Sequence, residues 1–149
     1  MTDDERIEAE ISIYQEAIGR KWTNEGRERG DSGAYPGLSP AESLFVDMWF
    51  FWQACLVNSG DVAGYFEYMD ASQSDFLTLG ASGCLEATVG LRPHFEQAVA
   101  DGKRKEWHDG WRSRPPDIVA AEDLAFKDDF PALLLAFAKN NISRPDHAR

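Results

Sequence analysis

The run from Ser39 to Gly60 constrains this chain more than any other stretch, because it reads as a helix with almost no side to give to water. Ser39 is an N-cap residue type, Pro40 suits the first helical position, and Glu42 stands three residues after Ser39, which is the capping-box spacing. Gly60 supplies a stop. On a helical wheel Leu44, Met48, Phe51 and Cys55 line one flank and Phe45, Trp49, Trp52 and Leu56 another, leaving a sliver around Ser43, Asp47 and Ala54 for solvent. A helix apolar nearly all round is one that other helices cover, so the pattern predicts a buried central helix over about residues 40–58.

The flanking sequence supplies helices to cover it. From Asp3 to about Arg27, Ile7, Ile11, Tyr14, Ile18 and Trp22 recur at helical steps, with Glu5, Arg6, Glu8, Glu16 and Arg20 on the opposite face. Glycines and Pro36 make residues 26–38 a loop. A short helix is expected over Val62 to Met69. Another follows Ser72-Gln73-Ser74-Asp75, with Phe76, Leu77 and Leu79 inward and Gly80 as its end. A further helix is expected from Ala81 to Val89, with Gly90 and Arg92-Pro93 forcing a bend or break before a helical pattern resumes toward Trp107. Residues 108–117 form a second loop, and a turn or two of helix is expected over Asp117 to Phe126. A last helix runs from Pro131 to Asn140, with Asp128 and Asp129 near its positive end and Leu133, Leu134 and Phe137 inward, before a loose tail over 143–149. No stretch alternates as a strand does. The expectation is a single all-α domain over 1–149, six or seven helices packed around the aromatic-rich one.

At 149 residues such a domain buries enough surface to stand without disulfides, and Cys55 and Cys84 lie in apolar surroundings without CxxC spacing, so both are expected as reduced core thiols. The acidic start, Met1 to Glu5, lacks the pattern of a signal peptide, and the apolar run at 44–57 is too short and interrupted to span a bilayer. Together these features predict a cytoplasmic protein. The formal net charge of −11 argues against direct binding to nucleic acid or to an anionic membrane. Its distribution is uneven. Between Gly30 and Leu91 there is no Lys or Arg, whereas Asp31, Glu42, Asp47, Asp61, Glu67, Asp70, Asp75 and Glu86 all fall there. Bases interleave with Trp107 and Trp111 over Lys103 to Arg114, a mixture that could grip nucleic acid but in so acidic a chain reads better as a loop anchored by its tryptophans.

Signatures of catalysis are absent from the sequence: no phosphate-binding glycine loop, no HExxH and no GxSxG. His94, His108 and His147 are scattered. Asp70, Ser72 and Ser74 do not complete a calcium loop, since Ala81 stands where the bidentate Glu belongs. No metal or cofactor is expected.

Residues 38–95 resemble the bacterial DNA-mimic-protein domain family. The resemblance rests on Trp49-Phe50-Phe51-Trp52, the turn Asn58-Ser59-Gly60-Asp61-Val62, the pair Tyr65-Phe66, and Leu77-Thr78-Leu79-Gly80-Ala81, in the family's order and spacing. In the turn, Asp61 and Val62 replace a glycine and a phenylalanine of the family pattern. Glu122-Asp123-Leu124-Ala125-Phe126, followed by a Leu-rich helix, is similar to the family's ending. The resemblance implies an all-helical, non-enzymatic, dimeric protein whose carboxylates imitate DNA phosphates on the DNA-binding surface of a basic regulator. A duplex carries a charge about every 1.7 Å of its axis, so a rigid acidic face of similar density can compete for the same partner. Asp47, Asp61, Glu67, Asp70, Asp75 and Glu86 are the candidate partner-binding residues. An immunity or adaptor protein would instead use a mixed apolar and charged patch, and an enzyme would need a pocket holding His94 or His108 beside a carboxylate.

Overall fold

The computed structural model describes residues 2–22, 34–53, 73–106 and 116–145; of Gln73, Asp117 and Ile118 it describes the backbone only. Among the described residues there are helices and no strand: α1 (Asp3–Lys21), α2 (Pro40–Phe51), α3 (Gln73–Leu79), α4 (Ser82–Ala100), α5 (Pro116–Ala125) and α6 (Phe130–Asn141). The all-α expectation holds. The chain divides into two units, residues 1–49 with 131–149, and residues 50–130.

In the first unit, α1 starts where Thr2 accepts a hydrogen bond from Glu5 N (3.2 Å). Asp3, Asp4 and Glu5 occupy its first turn and Arg20 and Lys21 its last, so both ends complement the helix dipole. Ile11, Tyr14 and Ile18 are buried, as their spacing predicts. The helix stops at Lys21, short of the expected end near Arg27, because Trp22 turns to extended backbone while its N–H still bonds Ile18 O. Before α2 the chain turns through Tyr35-Pro36-Gly37-Leu38, closed by Leu38 N to Tyr35 O (3.1 Å). Gly37 has φ 82°, so proline and a left-handed glycine hold the two central positions, the combination a type II turn demands.

The capping box of α2 is present in both directions. Glu42 N donates to Ser39 Oγ (3.1 Å), and Ser39 N donates to Glu42 Oε1 (2.9 Å). Every residue from Glu42 to Met48 is buried. The sliver assigned to water is therefore misplaced: Ser43 and Asp47 are inside, and exposure falls on Phe50. Ala54 and the rest of the expected helix to residue 58 lie outside the described residues.

In the second unit, α3 ends in a Schellman motif, with Ala81 N bonded to Phe76 O and Gly80 at φ 85°. Phe76 and Leu79 are buried, but Leu77 is 71% exposed and does not face inward as expected. Of the expected bend or break in α4, the break is absent. The helix runs unbroken through Gly90 and Pro93 because Cys84, Ala87, Thr88, Leu91 and Phe95 form one buried stripe, while Val89, Gly90 and Pro93 lie exposed. An interior proline costs a helix about 3 kcal/mol. Here the missing bond, to the carbonyl of Val89, falls on the exposed side where water can replace it. The helix ends at Ala100 rather than near Trp107, in a second Schellman motif at Gly102. α5 is a ten-residue helix begun by Pro116, longer than the expected turn or two. In α6 Leu134 is fully buried, with Leu133 and Phe137 half-buried.

A Cβ built on Gly90 meets nothing within 4 Å. Gly90→Ala is expected to stabilise the protein by about 1 kcal/mol through lower unfolded-state entropy, read as a raised urea midpoint.

Candidate functional site

The six candidate carboxylates do not share one environment. Glu86 is exposed on α4. Asp47 and Asp75 are only 7% and 5% exposed, which corrects their assignment to an outward face: a partner cannot meet them there. Asp61, Glu67 and Asp70 lie outside the described residues, as do the Asn58–Val62 turn and the Val62–Met69 helix.

A polar stripe along α2 explains the burial of Asp47. Ser39, Ser43 and Asp47 stand four residues apart and so lie on one face. That face receives Tyr35 from the preceding turn: Tyr35 N donates to Ser43 Oγ (2.8 Å), and the Tyr35 hydroxyl donates to Asp47 Oδ1. Ser43 Oγ in turn donates to Ser39 O (2.9 Å). The Trp22 ring lies 4.9 Å from that of Tyr35. Polar residues that look like a solvent face are therefore the docking strip for residues 34–38. A burial signal existed in Tyr35, an aromatic inside a Gly-rich segment.

Glu42 is the other buried acid of this unit. Its Oε2 accepts from Lys21 Nζ (2.6 Å) while its Oε1 accepts from Ser39 N. Burial pushes its carboxyl up, but the bond from Lys21, the bonds from Ser39 and the lysine's charge outweigh burial and hold it below the ordinary 4.5. Because the folded value is the lower one, the stabilisation is complete at neutral pH and is lost as pH falls below 4.5 through that lower value. Glu42→Gln is expected to cost about 1 kcal/mol at pH 7, the half-exposed lysine being screened. The deficit should shrink as pH falls below 4.5, and urea midpoints of both proteins across that range measure it.

The pair opens onto a groove of about 400 Å³ lined by residues of α1, α2 and the end of α6, among them Ile18, Lys21, Ser39, Asn141 and Arg144. Arg144 Nε and Nη2 donate to Glu10 Oε2 (3.4 Å) and Oε1 (3.0 Å). Among the described residues that line it there is no histidine.

In the second unit, Asp128 stands two residues before α6, but its side chain bonds elsewhere. The carboxylate caps the start of α4, where Ala81 offers no side-chain cap: Gly83 N donates to Asp128 Oδ1 (3.1 Å) and Cys84 N to Oδ2 (2.8 Å). Gly83 allows this approach, since a Cβ there would stand 2.2 Å from Leu124 O. Cys84 is a buried reduced thiol whose Sγ donates to Ala125 O (3.7 Å), as expected for a core thiol; Cys55 lies outside the described residues. Lys103, Arg104 and Lys105 are exposed, with the Arg104 guanidinium 5.9 Å from the Phe95 ring centroid. His94 is exposed. Leu77, Val89, Val99 and Phe126 are large apolar residues of this unit that face solvent.

Among the described residues no group of three His, Cys, Asp or Glu could hold a metal ion, and no helix is long and apolar enough to cross a membrane. Comparison of the chain with protein-family models, curated proteins and solved structures returns no match.

Proposed function

We propose that this chain is a non-enzymatic, acidic protein-binding domain that occupies the DNA-binding surface of a basic regulator by presenting carboxylates in place of phosphates. The observation that carries the reading is the segment between Gly30 and Leu91, which holds eight acids and no Lys or Arg in a chain of net charge −11. With Asp47 and Asp75 inside, the binding face comprises Asp61, Glu67, Asp70 and Glu86. A cationic partner drawn to such a face binds with an affinity that falls steeply with salt. The domain acts in the cytoplasm, as a dimer, without cofactor, nucleic acid or membrane.

A pull-down from native cell extract at low and high salt tests this. The expected catch is a DNA-binding protein released both by salt and by duplex DNA, and Glu86→Lys should weaken its retention about tenfold by reversing an exposed charge. A partner that DNA leaves bound overturns the mimicry. Exposed Leu77 and Val89 favour a second reading, an immunity or adaptor protein that uses a mixed apolar and charged patch. Recovery of a toxin that resists salt would select it.

A further inference from the structure

We propose that the groove between α1, α2 and the end of α6 binds a small organic carboxylate with an apolar body, at a site that uses none of the proposed partner-binding residues. Its volume of about 400 Å³ lies in the range of small-molecule sites. Its walls have two characters. Ala17 and Ile142, both partly exposed, give an apolar surface, with Ile18 buried beneath it. Lys21 and Arg144 are the cations among the described lining residues, in a chain otherwise dominated by acids.

Donor capacity at these two cations exceeds what the carboxylates beside them use. An ammonium has three N–H groups and a guanidinium five. Lys21 donates to Glu42 Oε2, and Arg144 donates two bonds to Glu10. Glu42, the acid among the described lining residues, has both oxygens engaged, by Lys21 and by Ser39 N. The groove thus offers further N–H donors beside an apolar wall. A carboxylate would accept from Lys21 and Arg144 while its hydrocarbon body covers Ala17 and Ile142, above the buried Ile18. The overall negative charge disfavours anions at large, so any carboxylate that binds must be held by local geometry.

An NMR titration of the full chain with hexanoate, and with its neutral isostere hexanamide, tests the site. Hexanoate should give saturable shifts at the Ile18 and Ile142 methyl groups and the Ser39 and Ser143 amides, with hexanamide bound about tenfold more weakly. Arg144→Gln, a change at a half-exposed side chain, should weaken hexanoate about tenfold at unchanged helix content. Absence of a saturable hexanoate shift, equal binding of hexanamide, or an unaffected Arg144→Gln protein would overturn the proposal. Neither arm involves the acidic face, so the fate of the partner-binding reading is read separately.

Discussion

Replacing Phe51 by alanine is expected to remove about 4 kcal/mol of stability, a large part of what a domain of this size possesses. Phe51 is fully buried, its ring 4.8 Å from Phe76 in an edge-on arrangement and 5.5 Å from Phe130. Removing it strips one ring from two aromatic contacts and leaves a cavity beside Phe76 and Phe130. The urea midpoint should fall with the slope unchanged, and the thermal midpoint should drop by about 10 °C. Phe51→Leu keeps most of the volume and should cost about 1.5 kcal/mol. A loss below about 1 kcal/mol for the alanine variant would mean the cluster is not a core.

Gly83→Ala is the second large effect, about 3 kcal/mol of destabilisation. The new methyl would stand 2.2 Å from the backbone oxygen of Leu124 and 3.1 Å from both oxygens of Asp128. A backbone carbonyl cannot swing aside as a flexible side chain can. α4 and α5 must separate, which also stretches the bonds from Gly83 N and Cys84 N to Asp128. The same substitution seven residues along the same helix, at Gly90, has the opposite expected sign because nothing stands in its way. Urea curves of the two variants measured together separate helix propensity, which favours alanine at both positions, from space, which is lacking at one.

What the sequence discloses and what it withholds follow from the range of the interactions involved. The capping box of Ser39 and Glu42, the buried side of α1 and the glycine end of α3 are local, and their spacing alone announces them. Pro93 misleads because a local rule is outweighed by the buried stripe of α4, whose partners lie elsewhere in the chain. Asp47 misleads for a similar reason. Its charge suggests water, yet the Tyr35 hydroxyl, twelve residues earlier, meets it inside. Of the candidate binding face, only Glu86 is described in an exposed position, and neither Lys21 nor Arg144 stands out in sequence because the groove joins residues more than a hundred positions apart.

The cap on α4 bears on the order in which this chain acquires structure. The first turn of that helix carries its own donors, but their acceptor is 44 and 45 residues downstream. During synthesis from the N-terminus, α4 leaves the ribosome with a frayed start and stays so until Asp128 has followed it out. Closing that span carries the loop-entropy cost of a distant contact. A nascent chain halted before Asp128 should therefore exchange its Gly83 and Cys84 amide hydrogens freely, and one extended past it should begin to protect them.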